Sequence, residues 1–173
     1  YIGAIAIEKT GKPLPDQTLN LCRNTDCILF GAIGDPIYDN NPTAKVRPEQ
    51  GLLKLRKELG LYANIRPIKA YPHLMSSSPI KKEVLDGTDF VVYRELNGGL
   101  YFGKKTTNET ETYASDLCEY NESEIAKITH LAFKAAQARR KKVTLVDKAN
   151  VLETSRLWRR VVAEIATDYP DVE

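Results

Sequence analysis

Four short apolar runs punctuate the chain, at Ala4–Ile7, Cys27–Ile33, Phe90–Tyr93 and Val143–Val146. Each is bounded by turn or polar residues and is nearly continuous rather than alternating, the pattern of a strand buried on both faces. Helical spacing fills the intervals between them. Pro48 suits a first helical turn and Gly60 a C-terminal stop, so Pro48–Leu59 is expected to be a helix. Asn121 followed by Glu124 forms a capping box that opens a helix through about Lys141, with Ile125, Ile128, Ala132 and Ala135 on its buried stripe. A third helix runs from about Glu153 to Thr167, where Trp158, Val161, Val162 and Ile165 recur at helical spacing. Strand alternating with helix predicts an α/β fold with a largely parallel sheet flanked by helices.

The stretch from Lys104 to Tyr120 breaks this rhythm. Its threonines and tyrosines favour extended backbone, yet it has little apolar surface to bury, and it reads as an exposed arm, hairpin or loop. The first residues start directly in an apolar run and the last leave a helix towards a further element, so the chain is expected to be incomplete at both ends.

Composition narrows the function classes. At 173 residues and 42% hydrophobic content the chain can bury an ordinary core. Lys and Arg number 25 against 23 Asp and Glu, a net charge of +2 that gives no field for nucleic-acid binding. Its three cysteines, Cys22, Cys27 and Cys118, lack C-x-x-C spacing, which argues against a disulfide framework or a zinc knuckle. His73 and His130 stand apart, and no metal-ligand cluster can be read. No run is long enough to cross a bilayer and no leader pattern opens the chain, so a soluble cytoplasmic protein is expected.

Four constellations can carry chemistry. Glu49, Leu52, Leu53 and Arg56 share one helix face, suited either to an acid with an alkyl tail or to an ordinary amphipathic helix. Arg56, Arg66 and Arg94 are either surface cations or ligands for carboxylates, and Arg94 directly follows an apolar run, where open α/β sheets place binding groups. Gly98-Gly99 permits a tight turn or a close backbone approach just before Tyr101, which is either a proton donor or a packed tyrosine in a hairpin. Lys148 ends the last apolar run, as a base or as a plain polar terminus. The tetrad Arg139-Arg140-Lys141-Lys142 is explained by the macrodipole at a helix C-terminus.

Taken together, these segments resemble the 3-isopropylmalate dehydrogenases within the wider family of β-decarboxylating dehydrogenases. The resemblance rests on Gly31-Ala32-Ile33-Gly34-Asp35-Pro36, the segment Arg47 to Arg56, Tyr62-Ala63-Asn64-Ile65-Arg66-Pro67, the segment Arg94 to Gly103, and Val146-Asp147-Lys148-Ala149-Asn150-Val151-Leu152-Glu153. It implies that Arg56, Arg66 and Arg94 hold the malate carboxylates. Leu52, Leu53 and Val151 would line the alkyl pocket, and Glu49 and Asn150 would lie at the cofactor. Lys148 would be the base for oxidation and Tyr101 the acid that protonates the enol.

Further expectations follow from the resemblance. They are NAD as oxidant, Mg2+ or Mn2+ as metal, 3-isopropylmalate as substrate, and a homodimer in which Lys148, Asn150 and Val151 reach the partner's site and the arm at about 104–120 joins the interface. Residues 1–61 would be part of a nucleotide-facing domain and 62–173 part of a substrate and dimerisation domain. The family's main NAD and metal segments are missing from the sequence, so the chain alone is expected to be inactive. Relatives acting on isocitrate, homoisocitrate or tartrate, and a non-catalytic dimerising module, are the competing readings. Leu52 and Leu53 disfavour a polar substrate tail.

Overall fold

A computed structural model describes residues 1–39, 41 and 44–173. The chain divides into two compact units, Tyr1–Leu61 and Tyr62–Glu173.

The first unit is helical: α1 (Ala4–Thr10), α2 (Asp16–Arg23), the short α3 (Pro36–Asp39) and α4 (Pro48–Glu58). The expected strand at Ala4–Ile7 is thus the start of α1. Gly11 stops this helix in the left-handed conformation at φ 70°, and four apolar residues cannot by their periodicity alone decide between strand and buried helix. Ala6, fully buried, carries the inward side of α1. Cys27–Ile33 forms no ladder, because no strand lies beside it among the described residues, and Leu29 and Phe30 remain exposed. Helix α4 begins at Pro48 as expected and buries Leu55 against Leu14 and Leu19.

The second unit contains β1 (Ala63–Lys69), β2 (Asp89–Glu95), β3 (Lys105–Thr107) and β4 (Ala114–Asp116), with α5 (Lys82–Leu85), α6 (Glu122–Gln137) and α7 (Glu153–Ala166). The largely parallel sheet is corrected here: both ladders are two-stranded and antiparallel, β1 with β2 and β3 with β4. The segment expected as the last strand joins no ladder among the described residues; Val143 N–H donates to Glu173 O at 2.8 Å, and Glu173 N–H donates to Lys141 O at 2.8 Å. β2 alternates half-buried and exposed positions instead of hiding both faces.

Helices α6 and α7 form the core of this unit. Ile125, Phe133, Val161, Ile165 and Tyr169 are buried together, and Phe133 stacks on Tyr169 with ring centroids 5.0 Å apart. The capping box at Asn121 is made in full, with Glu124 N–H to Asn121 Oδ1 and Asn121 N–H to Glu124 Oε2 both at 3.0 Å. The buried stripe of α6 differs from the expected one. Thr129, Phe133 and Ala136 join Ile125 and Ile128 in the interior, while Ala132 and Ala135 are half-buried along an open groove. Apolar residues therefore occupy two faces of α6, and spacing alone could not say which face meets α7.

α6 also stops at Gln137, short of Lys141, and the basic tetrad turns away with Lys141 at φ 52°. Three of its cations meet carboxylates: Arg139 pairs with Asp89, Lys141 with Asp171 and Lys142 with Glu173. Ion pairing now stands beside the macrodipole as the reason for these cations.

Candidate active site

On the β1–β2 ribbon, Asn64 lies opposite Arg94 and Arg66 lies opposite Val92. Directly opposed residues of an antiparallel pair share a face, as do residues two apart on one strand, so Asn64, Arg66 and Arg94 stand on one side. Arg66 Nε donates to Asn64 Oδ1 at 2.6 Å. Arg94 belongs to β2 itself rather than to the residue after it, since the ladder continues through Glu95.

After Glu95 the chain turns tightly and enters a short 3-10 turn, Gly99–Tyr101, where a hairpin was one expectation. Gly99 takes φ 71°, and a Cβ there would sit 2.5 Å from Tyr120 Oη, while one on Gly98 would sit 2.7 Å from Tyr120 Cδ1. The two glycines thus leave room for the ring of Tyr120 and offer no open phosphate cradle. The turn returns Tyr101 to the strand end. Arg94 Nη2 donates to Tyr101 Oη at 2.5 Å, and the guanidinium lies 5.1 Å from the phenol ring centre.

Lys148 sits on a loop tied to the first turns of α7. Its N–H donates to Ser155 Oγ at 3.1 Å, its carbonyl accepts from Val151 and Leu152 N–H at 3.0 Å each, and Arg156 Nε donates to Ala149 O at 3.0 Å. Asp147 receives Arg159 Nε at 3.0 Å and Nη2 at 2.9 Å, with Ala149 N–H at 2.9 Å. The hydrogen bond from Arg159, then that from Ala149, holds the Asp147 carboxyl below the usual carboxylate range. Ser155, Arg156 and Arg159 were not singled out in the sequence. The available signal was Ser155 and Arg159 sharing a face one turn apart on α7, just after the Asp147-Lys148 loop.

A depressed folded-state pKa contributes stability that is present above the unfolded value, about 3.9, and is lost as pH falls through the folded value. Asp147→Asn is therefore expected to flatten the fall in stability below about pH 4. Urea titrations of variant and parent between about pH 2 and 6 measure this. Parallel curves would remove Asp147 from the acid response.

An open groove of about 1240 Å³ runs between β2, α6 and α7, lined among others by Arg94, Tyr101, Asp147, Leu152 and Trp158. Lys148, Asn150 and Val151 are exposed and lie outside its lining. In the first unit Leu52 and Arg56 line a pocket of about 240 Å³ with Ile28, Phe30, Leu55 and Leu61. Leu53 is half-buried and Glu49 exposed on the same helix, neither of them in that pocket. The structure thus brings Arg94 to Tyr101, Arg66 to the same ribbon face, and Leu52 to Arg56.

Among the described residues no three His, Cys, Asp or Glu side chains converge to hold a metal ion, so these residues by themselves do not build a metal site. Nor, among the described residues, is any helix long and apolar enough to cross a membrane.

The family model of isocitrate/isopropylmalate dehydrogenases matches residues 1–173, the whole chain. The chain belongs to this family. Among curated family members, the 3-isopropylmalate dehydrogenase of Aquifex aeolicus is 53% identical over 175 residues and that of Heyndrickxia coagulans 52% identical over 174, each match taking in 99% of this chain. The 3-isopropylmalate dehydrogenase of Bacteroides fragilis is 51% identical over 170 residues, 98% of this chain. The chain spans about half the length of these relatives, 47–48%. Among solved structures of similar fold, the isocitrate dehydrogenase of Methylococcus capsulatus superposes with a TM-score of 0.79 at 34% identity, covering 99% of this chain and 48% of that one. A Thermus thermophilus protein superposes with a TM-score of 0.81 at 27% identity, covering 99% of this chain and 33% of its own. The chain shares the fold of these structures, and its helices and small sheets are consistent with an α/β fold.

Proposed function

We propose that a protein of the relatives' length carrying this chain is a 3-isopropylmalate dehydrogenase of leucine biosynthesis, oxidising and decarboxylating 3-isopropylmalate to 2-oxoisocaproate. The observation that carries this reading is the contact of Arg94 with Tyr101: a guanidinium able to seat a carboxylate touches a phenol able to deliver a proton. The names of the relatives at 51–53% identity support the choice of substrate.

In this reading Arg56, Arg66 and Arg94 bind the two carboxylates, and Leu52, Leu53 and Val151 accept the isopropyl group. Lys148 takes the hydroxyl proton while the hydride leaves the carbon that bears the hydroxyl. NAD, when bound near Glu49 and Asn150, supplies the hydride acceptor. The bond to the neighbouring carboxylate then breaks, carbon dioxide departs, and its electron pair remains as an enolate. The Tyr101 hydroxyl protonates the carbon that lost carbon dioxide, giving the 2-oxo acid. A divalent cation, Mg2+ or Mn2+, is proposed for the full-length enzyme, held by groups other than the residues described here. Residues 1–61 are assigned to the nucleotide-facing domain and 62–173 to the substrate and dimerisation domain. The active form is proposed to be a cytoplasmic homodimer, with the β3–β4 hairpin as its arm and the Lys148 loop serving the partner's site.

The rival substrate is isocitrate, favoured by the likeness to the Methylococcus capsulatus enzyme. An apolar pocket separates tails that differ by one methylene by roughly 10- to 200-fold, and a charged tail is set further apart. Specificity constants of the full-length enzyme with NAD are expected to favour 3-isopropylmalate over isocitrate by at least about 100-fold. Equal constants, or a preference for isocitrate, would overturn the leucine-pocket assignment.

A further inference from the structure

Glu95 is the last residue of β2, and only 6% of it is exposed. A buried carboxylate is costly unless its oxygens are satisfied. Here each oxygen takes one backbone N–H: Oε1 from Asn97 at 2.6 Å and Oε2 from Gly98 at 2.8 Å. The side chain thus staples the turn that follows its own strand. Just beyond, Gly99 N–H donates to Glu119 O at 2.8 Å, and the chain enters the turn that ends in Tyr101. Successive strand residues face opposite sides, so Glu95 points inward where Arg94 points out. One strand end therefore carries both the cation that meets the Tyr101 hydroxyl and the anion that folds the backbone back towards it. Tyr120, packed on the two glycines, stands close to this carboxylate. Its hydroxyl is pushed up first by burial and then by the negative charge of Glu95.

We propose that Glu95 is a positioning residue for the proton donor: its carboxylate pins the Asn97 and Gly98 N–H groups so that the Gly99–Tyr101 turn holds the Tyr101 hydroxyl against Arg94. The proposal rests on the assignment of Tyr101 as the acid in the reaction above. Glu95→Gln tests it with little change of shape, because an amide presents an NH2 group where one backbone N–H needs an acceptor. A misplacement of this kind by about 1 Å is worth up to about 100-fold in rate.

The experiment is a double-mutant cycle on kcat in the full-length enzyme, using E95Q, Y101F and the pair, with thermal unfolding followed in parallel. Y101F is expected to lower kcat strongly. E95Q is expected to lower kcat roughly 10- to 100-fold in the parent background and less than about twofold on top of Y101F. Equal losses in both backgrounds, or no loss in either, would overturn the role of Glu95 while leaving Tyr101 as the acid. A Y101F enzyme with undiminished kcat would overturn the assignment of Tyr101 instead, and the proposal with it. If E95Q does not fold, the cycle is read on E95D, which keeps the charge on a shorter stem. If neither variant folds, Glu95 is a stability residue and the proposal is wrong.

Discussion

Replacing Lys148 by alanine is expected to lower the rate of NADH formation by about 10²- to 10⁴-fold in the full-length enzyme, the usual worth of a positioned general base. The backbone around Lys148 is fixed on both sides of the residue, by Ser155 Oγ at its N–H and by the Val151 and Leu152 N–H groups at its carbonyl. The loop is further anchored through Asp147 to Arg159. All these ties use the main chain or the neighbouring side chain, which leaves the lysine side chain exposed. The loss in K148A should therefore be chemical rather than structural, with its melting temperature close to that of the parent. Single-turnover NADH formation under saturating substrate isolates the oxidation step from product release. A near-normal single-turnover rate would rule Lys148 out as the base.

Arg94→Ala is expected to reduce kcat/KM for 3-isopropylmalate by about 30- to 150-fold, corresponding to about 2–3 kcal/mol for a lost charge-assisted contact. Lysine should restore only part of this, since a single ammonium cannot offer a carboxylate the parallel donors of a guanidinium. A further loss should appear as a lower kcat, because Arg94 is also the partner of the Tyr101 hydroxyl. Steady-state kinetics of R94A and R94K measure both effects. A kcat/KM within about threefold of the parent in R94A would place the carboxylate elsewhere.

The three longer helices were legible because caps and stripes are local. Pro48 opens α4, Asn121 and Glu124 close a capping box on α6, and Val161 and Ile165 face inward on α7. The sheet was not legible, because pairing depends on what lies beside a run. Phe90–Tyr93 finds β1 and becomes a strand, whereas Cys27–Ile33 finds no neighbouring strand among the described residues and Ala4–Ile7 is wound into α1. The antiparallel sense of the ladders could not be read from apolar content either.

At the site, Arg94 and Tyr101 were visible as residue types, but their contact depends on the turn between them. That turn is stapled by Glu95, which reads in sequence as an ordinary acidic strand end. Asp147 and Arg159 stand twelve positions apart across a loop, beyond the reach of any helical or strand periodicity.

The ring of Tyr120 has one face of its surroundings in the glycine pair and another in Trp158, whose ring meets it edge-on with centroids 5.4 Å apart. It bridges the turn that carries Tyr101 and the helix that anchors the Lys148 loop. A shift of α7 moves Trp158 against the same ring that backs Gly98 and Gly99. The acid and the base of the proposed reaction, far apart in sequence, thereby share one support, and a small apolar rearrangement at Trp158 would be felt by both.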